Sequence, residues 1–258
     1  MCICKDISQS SLLKGIICTY GVPFSIIPSK SSCKKNGINP GVLNLSLSII
    51  PSGFFGNSPD NIVELKNFLT IEEQKKLSDY ALQNKVWDLT EGKKNENGTV
   101  IYDADIWADR VATRNSLMES DTTILPLIES MQQRLKIEVD KFFNVNVQAT
   151  GPAIVRWPVG TRQEPHADKE LHEGPDAGMP NAFPWYDIAS IFYFNDNYEG
   201  GEIYFPIQGL EYKPKAGSAY FFPGDMHYVH GVRPIISGSR FTSPFFWTVK
   251  EYFGEKAL

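Results

Sequence analysis

The spacing of apolar positions along the chain changes near residue 150. Before that point Ile124, Ile128, Met131, Leu135, Val139 and Phe142 recur at intervals of three and four, which aligns them on one face of a helix and predicts a helix from about Thr123 to Phe143. Pro126 fits its first turn, where no intrahelical donor is lost. A shorter helix is predicted from Thr70 to about Lys85, because Thr70 and Glu73 have the spacing of a capping box. It follows a short strand, Asn61 to Leu65. After Gly151 come short apolar or alternating runs punctuated by Gly and Pro: Ala153 to Trp157, Ile188 to Asn195, Glu202 to Pro206, Ser218 to Pro223, His227 to Val232 and Phe241 to Val249. Strands this short and this frequent predict an all-β sandwich or barrel. The expected fold is mainly β: a jelly roll (double-stranded β-helix) with N-terminal helices packed against it.

Residues 1–58 carry no helical period and one short alternating run, Leu43 to Ser48, and are expected to form a peripheral arm. The main domain is expected over 59–258, with a helical part at 59–150 and a jelly-roll part at 151–250. A polar loop, Glu91 to Gly98, precedes a polar and aromatic stretch holding Trp107, Asp109, Arg110 and Arg114, which reads equally as a groove wall or an ordinary loop. All four cysteines, Cys2, Cys4, Cys18 and Cys33, precede the main domain, which must therefore be stable without disulfides. The net charge of -5 offers no basic footprint for nucleic acid. No apolar run is long enough to cross a bilayer, so the expectation is a soluble, cytoplasmic protein without nucleic-acid or membrane partners. The sequence leaves the oligomeric state open.

Candidate chemistry lies in the β-rich half. All four histidines, His166, His172, His227 and His230, fall there. His166 and Asp168 are separated by one residue, so on an extended segment both side chains face the same way and can share one metal ion. A third ligand must come from another strand, and His227 and His230 are the histidines available. Three positions apart, they face opposite sides of a regular strand, so only one joins the metal. Two imidazoles and one carboxylate leave three positions open, as in non-haem Fe(II) oxygenases. His172 reads as a solvated loop residue, and Trp157, Trp185 and Trp247 as packing residues.

These segments resemble the Fe(II)/2-oxoglutarate-dependent dioxygenases, in particular the prolyl 4-hydroxylase-like branch. Gln163 to Asp168 is similar to that branch's first ligand segment, and Ile191 to Asp196 to the strand that follows. Gly200 to Pro206 resembles its GGxxxF turn, Tyr212 to Ala219 its PKxGxA segment, and His230 to Arg240 its distal histidine with a basic residue ten positions on. The resemblance implies catalytic metal ligands His166, Asp168 and His230, selecting His230 over His227. It places Arg240 on the far carboxylate of 2-oxoglutarate, where a planar fork fits, with Tyr193 and Thr242 adding hydroxyl contacts. The implied cofactors are Fe(II), 2-oxoglutarate as cosubstrate and O2, with ascorbate expected from the resemblance alone. The chain departs from the family at Arg156-Trp157, where a tyrosine is frequent, and at Arg240, where many prolyl-branch members carry lysine.

The implied activity is hydroxylation of a substrate C–H, with a prolyl or related residue in a protein or peptide as first expectation. A small-molecule or amino-acid hydroxylase of the same superfamily is the near alternative. A non-catalytic metal-binding jelly-roll module is the rival from another class. Arg240 discriminates between them, because a structural metal needs no anchor for a dicarboxylate.

Overall fold

In the computed structural model, residues 49–85, Trp87 and 109–253 are described, all within the compact unit Val42–Leu258. The four cysteines, the Leu43 to Ser48 run, the Glu91 to Gly98 loop and Trp107 lie outside the described residues. A 3-10 turn at Pro59–Asn61 and strand β1 (Val63–Leu65) occupy the stretch predicted as one strand. Helix α1 (Ile71–Gln83) starts with the capping box predicted from Thr70 and Glu73 and stops two residues before Lys85.

Strand β2 (Val111–Ala112) and a short helix, α2 (Arg114–Ser120), follow. Helix α3 (Ile124–Phe143) then buries Ile124, Ile128, Met131, Leu135 and Val139 on one face, as the periodicity predicts. Its last core residue is Phe143; Phe142, assigned to the stripe from sequence, is largely exposed. Glu73 of α1 and Arg134 of α3 join the helices through a two-pronged ion pair at 2.6 and 2.8 Å. Asn144 ends α3 in the left-handed conformation (φ 53°), which turns the chain directly into β3 (Val145–Ala149).

The β region continues through β4 (Ile154–Trp157), β5 (Gln163–His166), β6 (Ile188–Tyr193), β7 (Glu199–Gly200), β8 (Ile203–Phe205) and β9 (Leu210–Tyr212). It ends with β10 (Ala219–Pro223), β11 (His230–Val232), β12 (Ile235–Ser237) and the long β13 (Arg240–Tyr252). His227 lies in a 3-10 turn, Met226–Tyr228, capped by the Asp225 carboxylate, so the strand predicted from His227 begins only at His230. One antiparallel sheet runs β1-β10-β6-β13-β4-β2 with β3 also on β13, and a second runs β5-β11-β8-β9. The sheets meet through Ala189, Phe222, Ile203 and Phe205, while the opposite face of the large sheet packs on α3 through Phe192, Phe245 and Trp247. These are the sheets of a jelly roll flanked by helices.

Two glycines are dictated by crowding. A Cβ on Gly200 (φ +73°) would stand 2.0 Å from the Pro234 carbonyl oxygen, and one on Gly231 would meet the Tyr204 ring at 2.6 Å. Gly231 follows His230, so the close Tyr204 contact seats the strand that carries this histidine.

Candidate active site

Antiparallel pairing of β5 with β11 places His166 directly opposite His230, with ring centroids 4.4 Å apart. Asp168 follows just beyond the end of β5. Its backbone is held on both sides: the amide donates to the Gly224 carbonyl at 2.9 Å, and its own carbonyl accepts from Asn181 Nδ2 at 2.9 Å. The carboxylate lies 3.6 Å from His166 Nε2 and 3.8 Å from His230 Nε2. One ligand atom from each of His166, Asp168 and His230 falls within 4.8 Å of the others, a grouping able to hold a metal ion. His227 and His172 stand outside this group.

Hydrogen bonding sets the donor set. His166 Nδ1 lies 3.0 Å from the Glu164 carbonyl and His230 Nδ1 3.1 Å from the Tyr228 carbonyl. Carbonyls only accept, so both Nδ1 atoms carry hydrogen and both Nε2 lone pairs are directed to Asp168. Asp168 Oδ2 is buried without a hydrogen-bond partner among the described residues. Three acceptors converging in this way fit a divalent cation, and two nitrogens with one carboxylate suit Fe(II). Gln163 Nε2 stands 3.1 Å from His166 Nε2, which places a carboxamide donor at the ligand atom.

His230 is packed among Phe205 and Phe222, with centroids at 5.8 and 4.6 Å. Burial, reinforced by His166 and opposed by Asp168, drives its pKa to about 4, so it is neutral and able to ligate at pH 7. For His166 burial also disfavours the proton, but the hydrogen bond and charge of Asp168 outweigh it and raise the pKa.

A second cluster lies on the large sheet, where β13 sets Arg240 opposite Trp157 of β4 and Thr242 opposite Tyr193 of β6. Arg240 is 1% exposed. Its Nη2 reaches the Tyr193 hydroxyl at 3.4 Å and its Nη1 the Gly201 carbonyl at 3.5 Å, both long contacts, and its Nε has no partner among the described residues. The guanidinium stacks over Trp157 at 4.7 Å and Tyr193 at 5.0 Å. No carboxylate forms an ion pair with it among the described residues. A buried cation without a counter-charge is costly, and this fork of donors fits the distal carboxylate of a dicarboxylate.

Thr242 accepts a 3.1 Å hydrogen bond from the Trp157 indole nitrogen, so Trp157 orients a residue of the cluster as well as packing. Sequence analysis assigned Trp157 to packing alone, because an indole donor's target cannot be read from spacing. Tyr198, given no role from sequence, packs with Trp157, Val232 and Ile235. Its position in a loop gave no periodic signal. Val232 lies two residues after His230 on β11 and connects the clusters. Arg110 stacks over Trp157 at 4.3 Å, whereas Arg114 pairs with Glu129, away from these groups. Trp247 is a core residue bonded to Ser190, and Trp185 is partly exposed.

Residues 153–248 match the family model described as the 2OG-Fe(II) oxygenase superfamily. No curated protein matches the chain. Among solved structures, a prolyl hydroxylase from Trichoplax adhaerens, in complex with a hypoxia inducible factor oxygen degradation domain peptide fragment, aligns at 15% identity with a TM-score of 0.53. The alignment covers 74% of this chain and 84% of that one, and shows a shared fold. A viral collagen prolyl hydroxylase from Paramecium Bursaria Chlorella virus-1, in complex with 2OG, aligns at 16% identity over 73% of this chain and 95% of that one, TM-score 0.49. The segment that matches this superfamily model, from β4 to β13, contains His166, Asp168 and His230 as well as Arg240, Tyr193, Thr242, Trp157 and Tyr198.

Proposed function

We propose that the chain is a prolyl 4-hydroxylase-like enzyme that hydroxylates a prolyl or related residue in a protein or peptide. In this reading His166, Asp168 and His230 hold Fe(II), and Arg240, Tyr193 and Thr242 hold 2-oxoglutarate. The observation that carries it is the buried Arg240 guanidinium, without a carboxylate partner among the described residues, on the sheet that packs against the histidine pair. A structural metal site has no use for such an anchor.

Iron bound by the triad supplies the O2 chemistry that couples decarboxylation of 2-oxoglutarate, to succinate and CO2, with hydroxylation of a substrate C–H. The residues do the rest. The carbonyls of Glu164 and Tyr228 fix both imidazoles with Nε2 toward the metal. Phe205 and Phe222 exclude water from His230. Arg240 and Tyr193 orient the cosubstrate by its far carboxylate, while Trp157 holds the Thr242 hydroxyl in place.

The peptide assignment is supported by the prolyl-branch motifs and by the peptide held by the Trichoplax protein of the same fold. It is further supported by an aromatic stack in the segment after Asp168, with Tyr186 parallel to Phe246 at 3.8 Å and to Phe183 at 4.9 Å. The test incubates proline-containing peptides with protein, Fe(II), 2-oxoglutarate and ascorbate and reads mass. A gain of one oxygen on a prolyl residue, stoichiometric with succinate, is expected. Turnover only with a free amino acid or small metabolite would contradict the peptide assignment.

A further inference from the structure

Tyr198 precedes the Gly200-Gly201 turn and is 6% exposed, yet its hydroxyl has no hydrogen-bond partner among the described residues. A buried hydroxyl left unpaired destabilises a fold, and phenylalanine would fill the same space without that penalty. The surroundings point to a ligand. A Cβ on Gly201 would stand 2.5 Å from Ile235 Cδ1, 3.0 Å from the Tyr198 ring and 3.4 Å from Arg240 Cδ, so the Tyr198 and Arg240 side chains both pack against this glycine. The Lys213 ammonium caps the ring face at 4.1 Å. Trp157, in the same apolar cluster, cannot serve in its stead, because its indole hydrogen is already given to Thr242.

We propose that the Tyr198 hydroxyl is a further positioning donor for 2-oxoglutarate, acting with Arg240 and Tyr193 on the distal carboxylate. The inference rests on the cosubstrate role proposed for Arg240. Tyr198 OH and Arg240 Nε, both buried without a partner among the described residues, belong to side chains that meet at Gly201, and a carboxylate offers lone pairs to both. Burial raises the Tyr198 pKa against the pull of Arg240, which keeps the phenol protonated and a donor at neutral pH.

The test is Tyr198→Phe, which removes one oxygen and keeps the ring. Calorimetric titration of Mn(II)-loaded wild type and variant with 2-oxoglutarate, and with 2-oxobutyrate, which lacks the distal carboxylate, separates the hydroxyl's contribution from packing. A rise in the 2-oxoglutarate Kd of about tenfold or more is expected, as for loss of a hydrogen bond to a charged group, with 2-oxobutyrate binding unchanged. Metal-free Tyr198→Phe should unfold at the same or a higher temperature than wild type, a result that a structural hydroxyl would not give. Unchanged 2-oxoglutarate affinity, or a lowered unfolding temperature, overturns the proposal and leaves the oxygenase reading standing. Failure of wild type to bind 2-oxoglutarate overturns both.

Discussion

Lys169 follows Asp168 in the chain, and its ammonium, 4% exposed, lies 2.6 Å from the Asp187 carboxylate, which is 0% exposed. The ammonium also donates to the Ile50 carbonyl at 2.7 Å, and the second Asp187 oxygen accepts from the Val249 amide at 2.9 Å. Lys169→Met therefore strands a carboxylate in the interior. Breaking one side of a buried pair destabilises by about 3–5 kcal/mol, a large share of the roughly 5–15 kcal/mol that holds a domain folded. Lys169→Met/Asp187→Asn removes both charges and keeps an acceptor for Val249, so it should recover at least about half of that loss. Burial already raises the Asp187 pKa above its ordinary 3.8 despite Lys169. Without Lys169 it stands higher still. A carboxyl whose folded pKa exceeds the unfolded one destabilises above the folded value and is relieved as pH falls through it, so the Lys169→Met deficit should shrink as pH is lowered from neutral toward the ordinary carboxylate value. Urea unfolding of wild type and both variants across this pH range is the assay. A single-variant loss under about 1 kcal/mol, or a double variant worse than the single, would refute the reasoning.

Other parts of the structure give further expectations. Arg240→Lys keeps the charge but loses the planar fork, and should weaken 2-oxoglutarate binding by about tenfold or more with Mn(II) affinity retained; loss of metal binding instead would mark Arg240 as structural. Hydrogen bonds from Arg134 hold the Glu73 carboxyl below its ordinary 4.5, so this contribution is full above that value and lost as pH falls through the folded pKa. Glu73→Gln should thus cost about 0.5–1 kcal/mol at neutral pH and little once the pH lies below the lowered folded pKa in thermal unfolding. Gly200→Ala, with a Cβ aimed at the Pro234 carbonyl, should lower stability by roughly 2 kcal/mol or more in the same measurement. An unfolding temperature equal to wild type would contradict that reading.

The elements read most directly from sequence were those with a long period. The α3 stripe was legible because four turns of helix repeat it, and only its end slipped: an apolar pair, Phe142 and Phe143, offers two choices, and the turn at Asn144 decides for Phe143. Helix α2 was missed because its single buried residue, Leu117, gives no stripe. Strand β3 escaped although Val145 and Val147 alternate with Asn146 and Gln148, since it starts where α3 stops. In the site, the one-residue spacing of His166 and Asp168 was readable from the chain, whereas His230 needed the family pattern, because no local signal reveals which strand will pair with β5. Trp157, Tyr198 and Lys169 were given no such roles because Trp157 acts on Thr242, 85 residues on, Lys169 on Asp187 and Ile50, 18 and 119 residues away, and Tyr198 across a glycine turn.

The proposed function requires His166, Asp168 and His230 to hold Fe(II) and Arg240 to hold 2-oxoglutarate. Anaerobic addition of Fe(II) and then 2-oxoglutarate to wild type and His166→Ala tests it without any substrate, through the visible charge-transfer band of an iron-chelated 2-oxoacid. The account predicts a saturable band in wild type that is absent in His166→Ala. Iron-loaded wild type with no band at saturating 2-oxoglutarate would contradict it.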